Sequence, residues 1–125
     1  MKTRPLLLAL TLVLGSLGVA RLEGAEKFQK LNGSQVRAKL AGMEFTDEVH
    51  WRDVFGSTGS LSGYSMGRKT AGKWSVQKDR LCLDRGKDPG SGCYDVWVSG
   101  NHMELRSQDS ELPMQGVVRK PTGSR

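Results

Sequence analysis

Few side chains in this sequence could do chemistry, and their spacing limits what that chemistry is. His50 and His102 are the two histidines and the candidate general bases. Neither lies beside a recognisable nucleophile motif, and both fall on strand positions read as outward-facing. Asp47 with Glu48, and Asp109 with Glu111, are acidic pairs in predicted turns, where solvated charge is the default. A paired-carboxylate glycosidase would need both acids on the walls of a groove, and the 105 residues after the first twenty leave little room to build one. Gly56-Ser57-Thr58-Gly59 is glycine-rich but lacks the lysine and following helix of a phosphate loop. The sequence therefore predicts no catalytic residue, no metal ligand set and no cofactor.

Cys82 and Cys93 are the two cysteines, separated by a stretch holding Gly86, Asp88, Pro89, Gly90, Ser91 and Gly92. Such residues build turns, so the pair is predicted to clip a hairpin as a disulfide. Zinc would need two more ligands, and each histidine is alone in its segment. A redox pair has tighter spacing, as in C-x-x-C.

The compartment follows from the first twenty residues. A basic start (Lys2, Arg4) precedes an apolar stretch over 6–14, and small residues end at Gly18 and Ala20, where a signal peptidase would read them. The apolar run is shorter than the roughly 20 residues that span a bilayer. The predicted organisation is a signal peptide over 1–20, a polar lead-in over 21–30, one β domain over 31–119 and a flexible basic tail over 120–125. The expected location is periplasmic or secreted, with no stable membrane anchor after cleavage. The formal net charge is +6, and loss of Lys2 and Arg4 leaves +4. That balance suits a solvated surface more than a nucleic-acid ligand.

The elements are short. A helix is expected from an N-cap at Ser34 to a stop at Gly42, with Val36, Leu40 and Ala41 on or near one face. Period-two alternation marks strands over 43–45, 49–55, 61–66, 74–76, 81–83, 94–98, 103–105 and 114–118. Residues 67–72 read as a basic turn, and Lys78-Asp79 and Gly100-Asn101 as tight hairpins. The predicted fold is mainly β: a small antiparallel meander or barrel of seven to eight strands, preceded by one short helix. Alternation places Cys82 and Cys93 on the outer face, opposite Leu81, Leu83, Tyr94, Val96 and Val98. Trp97 then falls on the outer face as well, covered by the disulfide or the helix, or exposed as a partner-binding anchor.

Gly72-Lys73-Trp74 is similar to the G-x-W triplet of lipocalin-type barrels, in which a basic residue from a late strand covers the tryptophan; Arg119 lies late here. Trp74 falls on about the fourth strand rather than the first, so the likeness implies only an inward-facing Trp74. A broader pattern runs from Phe55 to Val96: Gly59, Gly63 and Gly67, then Gly72-Lys73-Trp74-Ser75-Val76, Leu81-Cys82-Leu83 and Gly92-Cys93-Tyr94-Asp95-Val96. It resembles a group of small secreted bacterial β-domain proteins of unknown function, with a G-x-W-x-V strand and a Cys-clipped hairpin. The resemblance implies an exported, disulfide-clipped β domain, and no catalytic role carries over from it.

The function expected is a non-catalytic exported binding module, monomeric, recognising an envelope protein or glycan. One end of the barrel would serve, or Trp97 with the basic residues Arg68, Lys69 and Lys73. The alternative is a small-ligand carrier with an apolar cavity between Trp51, Trp74, Tyr94 and Val96. Side chains filling the interior favour the first, and a cavity of several hundred Å³ favours the second.

Overall fold

Alternating side chains dictate the strands, and the turns between them dictate which strands meet. The computed structural model describes residues 27–122, together with Thr3 and Gly15. The remaining positions of the predicted signal peptide, the start of the lead-in and the end of the tail lie outside the described residues. The elements are β1 (Gln29–Lys30), α1 (Gly33–Leu40), β2 (Glu44–Thr46), β3 (Trp51–Phe55), β4 (Ser60–Ser65), β5 (Arg68–Gln77), β6 (Arg80–Asp84), β7 (Gly92–Ser99), β8 (His102–Arg106) and β9 (Met114–Arg119). Each strand from β2 to β9 pairs antiparallel with the next, and β9 returns to β2, so eight strands close a barrel. Closure leaves no long sheet edge to template aggregation. The two-residue β1, drawn from the predicted lead-in, adds beside β7 at Trp97 and Val98, beyond the part of β7 that pairs with β6.

Three local expectations need correction. Asn32, not Ser34, caps the helix: its side chain accepts the Gln35 N–H, and the Gln35 side chain accepts the Asn32 N–H. This reciprocal box satisfies two donors at once, which Ser34 could not do from inside the first turn. The strand predicted from residue 49 begins at Trp51, because Asp47 accepts the N–H groups of Val49, His50 and Trp51 and folds that segment into a turn. The basic turn predicted over 67–72 shrinks to Met66-Gly67, both at positive φ, and Arg68 opens the ten-residue β5. Gly72 punctuates nothing: a Cβ there would collide with the Asp84 carbonyl on β6, so glycine is the residue that lets these strands pair. The Lys78-Asp79 hairpin is as expected, both residues at positive φ in the type I′ pattern.

Helix α1 closes one end of the barrel. The Gly33 N–H donates to Asp79 in the β5–β6 turn at 2.7 Å, and Lys39 Nζ to the Gly100 carbonyl in the β7–β8 turn at 2.9 Å. Eight residues do not hold a helix alone. The fully buried Val36 and Leu40 join Phe45, Phe55, Leu61, Leu81, Val96, Met103 and Leu105 in one core. Trp74 belongs to this core, edge-on to Phe55 with centroids 5.6 Å apart. Its indole N–H donates to the Gly56 carbonyl at 2.8 Å, so the glycine-rich 56–59 turn is a socket for this tryptophan.

Cys82 and Cys93 stand directly opposite one another in β6 and β7 and form the disulfide. Their inward neighbours Leu81 and Tyr94 are likewise paired. On the loop-closure model a crosslink of this span contributes about 3 kcal/mol. The same bond clips the 85–91 loop, which forms part of the opposite end of the barrel.

Candidate functional site

Antiparallel order sends the β2–β3, β4–β5, β6–β7 and β8–β9 connections to the end away from α1. There the packed core stops short and leaves a cup of about 490 Å³, open to the outside. Trp51, Asp53, Thr70, Arg85, Pro89 and Met114 are among its lining residues.

The floor of the cup is an ion pair. On β3 the inward positions are Trp51, Asp53 and Phe55, so alternation drives a carboxylate into the barrel, where it is 6% exposed. Arg85 continues the inward phase of Leu81 and Leu83 beyond the end of β6. Its guanidinium grips Asp53 with two bonds, Nη1 to Oδ1 at 3.0 Å and Nη2 to Oδ2 at 2.6 Å. Burial works against the guanidinium's charge, but the bonds to Asp53 and its negative field outweigh that, with smaller help from Tyr94 and Asp88. The Arg85 pKa is raised above its ordinary value and the side chain stays charged.

Glycines make room for the pair. Gly63 lies opposite Asp53 in the β3–β4 register. A Cβ on it would sit 2.5 Å from Thr70 Oγ1, 3.2 Å from Asp53 Oδ1 and 3.4 Å from Arg85 Nη1. Gly90, at φ +97°, would place a Cβ 3.2 Å from Arg85 Nε. The loop that carries Arg85 is tied down by Ser91, whose Oγ accepts the Arg85 N–H, and by Tyr94, whose hydroxyl donates to the Gly90 carbonyl.

On the rim, Arg68 pairs with Asp88 at 3.1 Å, and Trp51 is held edge-on to Phe45 with centroids 5.0 Å apart. Val49, Met66 and Leu112, between 79% and 82% exposed, stand on three of the connections that surround the cup. They are the exposed large hydrophobics among the described residues.

The residues singled out from the sequence are dispersed. Trp97 is half-buried on the outer face of β7, between Lys30 and Glu104, with the Arg106 guanidinium 4.2 Å above its ring. That cover comes from β8, not from the disulfide or the helix. Lys69 lies on the outer face of β5 with its Nζ 5.7 Å from the Tyr64 ring centroid, and the Arg52 guanidinium is 3.9 Å from the same ring. Lys73 is exposed opposite Ser60 and Asp84. Of the four, Arg68 alone lines the cup. Of the residues expected around an apolar cavity, Trp51 lines the cup, whereas Trp74 and Val96 are consumed by the core and Tyr94 braces the loop.

Arg119 does not cover Trp74. It ends β9 and donates to the fully buried Glu44 at 3.3 Å and to Glu48 at 3.1 Å. The Thr122 N–H and hydroxyl also donate to Glu44, which secures the start of the predicted tail.

His102 is exposed at the start of β8, and the His50 ring lies 2.8 Å from Asp47 Oδ2. That dyad is a turn cap, since Asp47 also binds three backbone N–H groups. Desolvation opposes it, but those bonds and the His50 ring drive the Asp47 carboxyl far below the usual carboxylate range. A carboxylate with a depressed folded pKa adds stability that is complete above its unfolded value, about 4, and is lost as the pH falls toward the folded value. Asp47→Asn keeps an acceptor oxygen but no charge. Urea unfolding over a pH series is expected to show a shallower loss of stability below about pH 4 in this variant than in the unchanged protein. Equal slopes would exclude the charge as the source.

Among the described residues no helix is long and apolar enough to cross a membrane, and no group of three or more His, Cys, Asp or Glu is placed to hold a metal ion. The fold is that of a small closed antiparallel β-barrel, plugged by a helix at one end and hollowed at the other. Comparison with protein-family models, curated proteins and solved structures finds no match to this chain.

Proposed function

We propose that this protein is a non-catalytic, exported binding module that recognises a cell-envelope component through the open mouth of its barrel. The observation that carries this reading is where the space lies: Trp74 and Val96 fill the interior in which a carrier would keep its apolar cavity, and the cup of about 490 Å³ is an open mouth with a charged pair on its floor. Its volume lies within the roughly 300–1,000 Å³ of small-molecule sites. The exposed Val49, Met66 and Leu112 around it support a surface that meets something larger than the cup alone. The disulfide and the signal-like first twenty residues support an oxidising, exported setting.

Native mass spectrometry of the oxidised protein, recovered from the exported fraction without denaturation, tests the proposal. The expected spectrum contains a retained mass beyond the bare chain, absent from an Asp53→Leu/Arg85→Met double variant in which the floor has become apolar. A bare chain from both proteins, with both retaining the same material from an envelope extract, would overturn it.

A further inference from the structure

The geometry points to an uncharged sugar ring as the ligand of the cup, an inference that rests on the mouth being the binding site. A ligand reaching the floor meets a carboxylate and a guanidinium that already neutralise one another through two bonds. A charged ligand would have to displace one of them and leave the other buried without a partner. The rim repeats the balance with Arg68 and Asp88.

The pair is neutral but keeps hydrogen-bonding capacity. Each Asp53 oxygen holds one Arg85 N–H and has room for another donor, and two of the five Arg85 N–H groups are spent on Asp53. Because Gly63 has no side chain, the Thr70 hydroxyl, an Asp53 oxygen and an Arg85 nitrogen close in together, all within 3.4 Å of the point its Cβ would take. Donors and acceptors therefore converge side by side. Vicinal hydroxyls match that pattern, because each donates and accepts without carrying charge. Trp51 and Met114 supply an apolar wall for the C–H face of a pyranose, as aromatic and aliphatic surfaces do in small-ligand sites. An aliphatic chain would leave the floor's spare donors and acceptors facing hydrocarbon.

Amide NMR shifts of the oxidised protein distinguish the possibilities, with methyl β-glucopyranoside, the disaccharide of N-acetylglucosamine, sodium laurate and a short neutral peptide as probes. The expected result is saturable shifts at Trp51, Gly63, Thr70 and Arg85 with at least one sugar. Thr70→Val, which keeps the side-chain shape, should weaken that binding about tenfold, and Asp53→Leu/Arg85→Met should abolish it while the remaining spectrum stays dispersed. Laurate or peptide shifts at these amides without any from the sugars would overturn the sugar assignment and leave the mouth as a binding site. Sugar shifts that survive the double variant, or that centre on Trp97, would also overturn it. Silence from all four probes, with a bare chain in native mass spectrometry, would remove both the ligand class and the mouth reading.

Discussion

Arg85→Met alone is expected to destabilise the protein by about 3–5 kcal/mol, because it strands the Asp53 carboxylate inside the barrel. Asp53 is 6% exposed, and the Arg85 guanidinium donates to both of its carboxylate oxygens. Removing the partner leaves a buried charge with nothing to offset its lost hydration. The double variant Asp53→Leu/Arg85→Met should behave differently. It replaces the pair with apolar side chains of similar volume, which costs little and can even stabilise, so its stability should lie within about 1 kcal/mol of the unchanged protein or above it. Urea unfolding of both variants checks this directly. If the single variant lost no more than the double, the pair would not be held in place by mutual compensation. The contrast also bears on function: a pair that contributes little net stability has a reason to persist if it serves a ligand.

Trp74→Ala is expected to cost about 3–5 kcal/mol, the usual range for truncating a large aromatic in a packed core. Two effects combine. The Phe55 ring loses its edge-on neighbour and a cavity opens among Leu61, Leu81 and Leu83. The Gly56 carbonyl also loses the indole N–H and, with it, one anchor of the β3–β4 turn. Trp74→Phe should cost less, because it keeps most of the volume and loses the hydrogen bond, worth about 1 kcal/mol. Thermal or urea unfolding decides the sizes. A loss below about 1 kcal/mol for Trp74→Ala would contradict tight packing around this side chain. Cup binding in surviving Trp74→Phe protein should be unchanged, since Trp74 does not line the cup.

The Cys82–Cys93 disulfide braces the β6–β7 hairpin. It joins neighbouring strands near the base of the 85–91 loop, and that loop carries Arg85, Asp88, Pro89 and Gly90 to the mouth. Cys82 itself is buried, at 8% exposure, and the bond restrains the segment that holds the guanidinium over Asp53.

Much of this was legible in the chain itself. Period-two alternation and turn chemistry determine the β architecture, the outward direction of both cysteines and the burial of Trp74, because a one-residue slip would turn every apolar side chain to solvent. The signal for the cup was present too. Asp53 occupies an inward phase between Trp51 and Phe55, and Arg85 the inward phase after Leu81 and Leu83, so each marks a charge that must find a partner inside. Alternation cannot say that the two are partners, since 32 residues separate them and their meeting depends on how far around the ring β3 and β6 lie. Nor can it say that Gly63 lets its neighbours close in rather than weakening a strand, because that depends on Thr70 lying across from it. Barrel closure, the pairing of Asp53 with Arg85 and the cup above them were decided by the tertiary structure alone: all three arise from the return of β9 to β2 and the stagger of strands around a closed ring, and no local pattern encodes those long-range distances.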